Sequence, residues 1–179
     1  MAIRSIALAG MVADTSLYNI DGACVVGGTA ATSIQTGTFV GVTTAQPVDG
    51  HKVVSLPVVA ADATAVKPYG VVVRSHYETP DGSARGLEAV NVMTHGRIWV
   101  RTTLTAAPKF GDKVYVNATG VVSAKAATTT YETGFKFAGG FLTGFVSNGR
   151  DPIKQSESYD GALVEVQLLQ SADSIVATA

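Results

Sequence analysis

The sequence predicts an all-β chain, an antiparallel β-sandwich or barrel that is jelly-roll-like in its short strands and tight turns. Three observations carry this. Apolar and polar residues alternate with a period of two in "GALVEVQLLQ", "LEAVNVM", "RIWVRTT" and "DKVYVNA", the pattern of strands with one dry and one wet face. Strong turn formers separate such runs, as at Pro80-Asp81-Gly82, Asn148-Gly149 and Asp160-Gly161. No long helical period lies between them, as the crossovers of βαβ units would require.

The elements follow in order. "MAIRSIALAG" carries Ile3, Ile6 and Leu8, and "MVADTSLYNIDG" then breaks any sustained period. Residues 1–20 therefore read as an extended N-terminal arm, and residues 21–179 as a single β domain. Fixing backbone costs about 1 to 2 kcal/mol per residue, so a partner surface or a preformed sheet edge would have to hold such an arm. The rival reading makes Arg4 to Ala9 an internal strand. "TFVGVTTA", "HKVVSLPVV" and "YGVVVRSHY" are less regular apolar strands, with a short helix one option at Ala60 to Ala65. Val90 with Val92, and Ile98 with Val100, mark two further strands. In "FGDKVYVNATGVVSA", Lys113 to Asn117 and Val121 to Ala124 form a hairpin closed by Asn117 to Gly120. "AKAATTTYETG" lacks periodicity and reads as a loop, "GFLTGFVS" as a strand, and Val164, Val166 and Leu168 define the last strand.

At 179 residues the chain fits one domain able to bury roughly 70% of its unfolded surface. Only 15% of residues are charged and 19 are glycine, which suits a turn-rich β protein. Thirteen basic and fourteen acidic side chains give a net charge of -1. A phosphate-tracking surface needs a positive excess, so nucleic acid is not an expected partner. The N-terminal apolar patch is too short and polar for a bilayer span and imperfect as a signal peptide, so neither is a membrane. A single cysteine, Cys24, excludes an intrachain disulfide and multi-cysteine metal sites, and fits assembly in a reducing cytoplasm.

Catalytic signatures are missing. "GSARG" misplaces its serine for a nucleophile elbow, and "GGTAATS" lacks the lysine of a phosphate loop. His51, His76 and His95 stand far apart without metal-ligand spacing, and each reads as an ordinary turn or strand-end residue. Asn117 opens a glycosylation sequon that reads as a turn. The expectation is a protein that is not an enzyme and takes no cofactor or metal.

Trp99 is the residue that asks for a role. The parity that buries Ile98 and Val100 turns Arg97, Trp99 and Arg101 to the other face, placing the only tryptophan between two guanidinium groups. Trp and Arg are enriched at protein interfaces. The candidate interface is therefore Arg97, Trp99 and Arg101, joined by Ile3, Ile6 and Leu8 of the arm; the alternative places Trp99 in a second core layer. Phe135, Phe137, Phe141 and Phe145 read as core.

The hairpin "FGDKVYVNATGVVSA", the segment "GFLTGFVSNG" and the closing "DGALVEVQLLQ" resemble the C-terminal half of tailed-bacteriophage capsid cement, or decoration, proteins. "PYGVVVRSHY" and "GRIWVRT" resemble the paired strands upstream, so the likeness covers residues 65 to 170. It implies a structural virion protein on the outer head surface, made in the host bacterial cytoplasm. Its partners would be the major capsid protein and itself, as a homodimer or homotrimer. A carbohydrate- or receptor-binding β module is the alternative, with Trp99, Tyr77 and Tyr131 as stacking aromatics.

Overall fold

The computed structural model describes residues 7–58, 66–75, 82–126, 128–145 and 156–169, and no helix occurs among them. Among the described residues twelve strands run in chain order: β1 Val12–Val26, β2 Ser33–Gln35, β3 Phe39–Val42, β4 Lys52–Ser55, β5 Gly70–Val72, β6 Ser83–Arg85, β7 Ala89–Arg101, β8 Lys113–Asn117, β9 Val122–Ser123, β10 Thr130–Gly144, β11 Glu157–Ser158 and β12 Leu163–Leu168. The all-β expectation holds.

The pairings close on themselves twice. β1 pairs with β4, β4 with β3, β3 with β5, β5 with β7, and β7 returns to β1. From β7 the sheet continues through β12, β10, β8 and β9, and a bridge between Val122 and Thr102 brings β9 back beside the end of β7. The result is two barrel-like rings sharing β7. Closure removes the unpaired strand edges that would invite aggregation. Two pairings, β1 with β4 and β10 with β11, are parallel, so the sheet is mixed rather than purely antiparallel.

Alternation on the shared wall feeds both cores. Val40, Val72 and Val92 join Cys24, Val26, Val54 and Val90 in one cluster. Their immediate neighbours Phe39, Val71 and Met93 join Val114, Val116, Phe135, Phe137, Val164 and Val166 in the other. The two-residue period of a strand makes this possible, since adjacent side chains point to opposite faces. Along β7 the parity then changes: Val90 and Val92 serve the first core, while Ile98 and Val100 serve the second. Gly96, at φ +107°, lies between them and supplies the shift.

The two "LEAVNVM" and "RIWVRTT" strands are thus one continuous β7. The Asn117 hairpin forms as expected, with β8 and β9 antiparallel. Asn117 Oδ1 accepts hydrogen bonds from the amides of Thr119 and Val121. Two expectations are corrected. The aperiodic "TTTYETG" belongs to β10 from Thr130, because pairing with β8 and β12 overrides weak local patterning. From Ala7 the segment expected as an arm is docked on the domain, and from Val12 it is β1, antiparallel to β7. Residues 1–6, the Ala60 to Ala65 helix option, His76, Asn148-Gly149 and most of the Pro80 turn lie outside the described residues.

A polar cross-link fastens the first barrel. Asp21 Oδ2 on β1 accepts from Lys52 Nζ on β4 at 2.8 Å and from the Tyr69 hydroxyl ahead of β5 at 2.7 Å. Burial pushes the Asp21 pKa up, but these donors and the Ala23 amide overrule it and hold the carboxyl at about 2. A folded pKa below the unfolded one gives stability that is complete above about pH 4 and lost as pH falls from there towards 2. Asp21→Asn should therefore flatten the fall in melting temperature across that window; an unchanged acid limb would show that other carboxylates dominate it. Beside it, burial raises the Cys24 thiol to about 12, so it remains a packed, unreactive thiol.

Candidate interaction surface

On the outside of the second barrel, strand register lays the sequence-selected residues in rows. Arg97 stands opposite Gln167, which stands opposite Lys136. Trp99 stands opposite Glu165, and an irregularity in β10 between Phe137 and Phe141 brings Gly140 alongside. Arg101 stands opposite Leu163, itself opposite Leu142. The predicted parity is met, since Ile98 and Val100 are fully buried while Arg97, Trp99 and Arg101 are partly exposed.

The three residues have different commitments. Arg97 Nε donates to Gln167 Oε1 at 3.0 Å, and the residue is partly exposed. The Trp99 ring lies half-buried against Gly140 and Glu165; a Cβ on Gly140 would stand 2.5 Å from Trp99 Cη2. Arg101 turns inward: Nε donates to the Thr36 carbonyl at 2.9 Å and Nη1 to the Asp160 carbonyl at 2.6 Å. Burial lowers its pKa, and nearby Asp160 raises it again.

Asp160 is the centre of a clamp. Its Oδ2 accepts from Arg74 Nη2 at 2.7 Å and from the Ala9 amide at 2.9 Å, while Arg74 Nε donates to the Ala9 carbonyl at 3.0 Å. Both the N–H and the C=O of Ala9 are thereby held. Gly10 follows at φ +78°, so close that a Cβ would stand 2.7 Å from the Arg74 amide nitrogen. Leu8, half-buried, lies in this docked segment; Ile3 and Ile6 fall outside the described residues.

Several large apolar side chains are open to solvent, among them Phe110, Leu17, Tyr18 and Leu169. Leu17 and Tyr18 sit on a bulge that sequence reading missed. Asp14 pairs with Arg97 and Asn19 with His95, so Thr15 to Tyr18 are set against Gly96 alone. Its sequence signal is the interruption of alternation in "DTSLYN", within the segment expected as an arm. The Ser16 amide donates to Asp14 Oδ1 at 2.8 Å, and this bond leads the lowering of the Asp14 pKa. Asn19 Nδ2 donates to Thr94 Oγ1 at 3.1 Å. Both feet of the bulge are tied down.

Of the proposed sugar-stacking aromatics, Tyr131 donates its hydroxyl to the Val58 carbonyl and Tyr77 is outside the described residues. No cluster of three metal-ligating side chains occurs among the described residues. His51 takes the turn position expected of it, Nδ1 lying 3.0 Å from the Asp49 carbonyl.

A family model described as structural cement protein (E217 gp24/Pam3 gp6) matches residues 2–169. The chain belongs to the phage structural cement proteins. A solved chain from the capsid of Myoviridae Phage XM1 shares its fold, with a TM-score of 0.61 over 94% of this chain and 93% of that one, at 18% identity. No curated protein matches the sequence. The cement protein is accordingly a structural component of the virion that serves the capsid, and the resemblance in its hairpin and closing strand extends to nearly the whole chain.

Proposed function

We propose that this cement protein attaches to the outer surface of the assembled head and ties neighbouring major capsid subunits together. It would act as a homodimer or homotrimer made in the host bacterial cytoplasm, with neither nucleic acid nor membrane as a partner. The observation that carries this reading is the near full-length match to the cement family. Two features support it. Two closed rings sharing one wall make a stiff body, which a tie between subunits needs in order to transmit load. Weak contacts repeated by symmetry over a shell add up through avidity, so no single tight site is required. Arg97 and Trp99 are proposed contact residues, with Ile3, Ile6 and Leu8 contributing from the N-terminal end. Arg101, whose donors are used within the chain, is assigned to holding the clamp.

Co-sedimentation with purified heads lacking the protein tests this. The protein should pellet with heads at saturating, stoichiometric occupancy and give no sugar-specific signal on a glycan array. Failure to bind heads together with a selective glycan signal would favour a carbohydrate-binding module.

A further inference from the structure

We propose that Asp160 and Arg74 are positioning residues for head attachment: by locking the turn Leu8–Met11 they fix where the N-terminal residues leave the fold, next to Trp99. The inference rests on the cement reading above and adds what joins its two sets of contact residues.

The turn is set by the sequence and locked by the fold. The Met11 amide donates to the Leu8 carbonyl at 3.1 Å, and Gly10 takes φ +78° in the third place of the turn, where a type II turn requires a glycine. The Ala9 amide donates to Asp160 Oδ2, and the Ala9 carbonyl accepts from Arg74 Nε. The Gly10 amide donates to the Trp99 carbonyl at 2.8 Å, and the Gly10 carbonyl accepts from the Arg74 amide at 3.0 Å. The Met11 carbonyl accepts from the Trp99 amide at 2.9 Å. Ser158 Oγ donates to the Ala7 carbonyl at 3.3 Å, and the Leu8 amide donates to Met11 Sδ at 3.2 Å. Every backbone donor and acceptor from the Ala7 carbonyl to the Met11 carbonyl therefore has a partner, which a fraying chain end does not show.

Burial of apolar surface does not account for this locking. Ala9 and Gly10 are buried, yet between them they bring one methyl group to the interior. The fit leaves no room for more, since a Cβ on Gly37 would stand 2.7 Å from Ala9 Cβ. What the clamp fixes is a direction. Arg74 spans the Asp160 carboxylate and the Ala9 carbonyl with one planar fork, so the turn is held in a single orientation.

The turn reverses the chain, so β1 runs on along β7 while the residues ahead of Ala7 start beside Ser158 of β11. Trp99 is bonded to the same turn through both its amide and its carbonyl. The two sets of proposed contact residues, Trp99 on β7 and those ahead of the turn, thus start from one hydrogen-bonded unit. When Trp99 docks, the N-terminal residues are held at a high effective concentration over the same surface, and a fixed origin limits the freedom they lose there. Opening the clamp lowers that effective concentration without removing a contact residue.

Co-sedimentation titrations with heads lacking the protein, run well below every melting temperature, compare Asp160→Ala and Asp160→Asn in the full chain and in a chain without residues 2–6. The deletion is expected to lower head affinity by about tenfold. In the full chain Asp160→Ala should lower it by about fivefold and Asp160→Asn by less, whereas in the shortened chain both should change it by less than about twofold. Asp21→Asn, which loosens the β1–β4 cross-link instead, should leave affinity within about twofold in both backgrounds. An equal fold-loss from the Asp160 variants in both backgrounds would overturn the proposal and confine the clamp to stability. So would undiminished head affinity of Asp160→Ala in the full chain, or of the shortened chain itself. Failure of the unsubstituted full chain to bind heads would overturn the cement reading, and this proposal with it.

Discussion

Phe39→Ala is expected to lower stability by about 4 kcal/mol and the melting temperature by roughly 10 °C or more. Phe39 is completely buried, lies on the wall shared by the two barrels, and stacks on Phe135 with ring centroids 5.9 Å apart. Removing the ring forfeits its transfer free energy and leaves a cavity that the wall cannot close, because Val40 and Val72 beside it are committed to the opposite core. The Phe39 amide also donates to the Gly120 carbonyl at 2.7 Å, a backbone bond between β3 and the β8–β9 turn that the alanine variant keeps. A calorimetric scan should show one cooperative transition at reduced temperature, since a defect in a common wall weakens both rings. Two separated transitions would mean that the rings unfold independently; a loss below about 1 kcal/mol would mean that the site collapses around the alanine.

The second large effect is expected at Asp160. Asp160→Ala removes the carboxylate between Arg74 and Arg101, whose side chains are only 24% and 15% exposed, and leaves the Ala9 amide without its acceptor. Stranding partly buried charges is costly even where forming the pair contributes little, so a loss of about 3 kcal/mol is expected. Asp160→Asn, which keeps an acceptor but not the charge, should fall between the alanine variant and the parent. Hydrogen exchange at Ala9 and Gly10 should rise with the loss of stability, because these peptides are what the clamp holds. Equal stability of all three proteins in urea titration would show that solvent screens the pair and that the N-terminal segment is held by backbone bonds alone.

Much of the fold was legible because the second barrel advertises itself. Ile98, Val100, Val114, Val116, Val164 and Val166 alternate with Trp99, Tyr115 and Glu165 and their charged or polar flanks, as strands with one buried face do. The first barrel is quieter. β3, β4 and β5 are three or four residues long and send consecutive residues, such as Val71 and Val72, to different cores, so both parities are apolar and no period appears. β1 is hidden in the sequence for another reason. Its bulge inserts extra residues between two paired stretches, which destroys the alternation on which the reading depended, and its partner β7 lies some eighty residues away.

The candidate surface was half legible. The outward parity of Arg97, Trp99 and Arg101 follows from a two-residue period and was recoverable from "GRIWVRT" alone. The fate of Arg101 was not, because Asp160 and Thr36 reach it only through the tertiary fold. The same holds for the exposure of Leu17 and Tyr18, which follows from the register of β1 against Gly96.

This chain is proposed to bind the outside of a head and bridge its subunits. Electron cryomicroscopy of heads lacking the protein, imaged before and after its addition, tests it most directly. Ordered density for the two-barrel body should appear on the outer surface at symmetry-related positions, each copy touching at least two capsid subunits. Bare heads after saturating addition, or density confined to the tail or the interior of the shell, would contradict it.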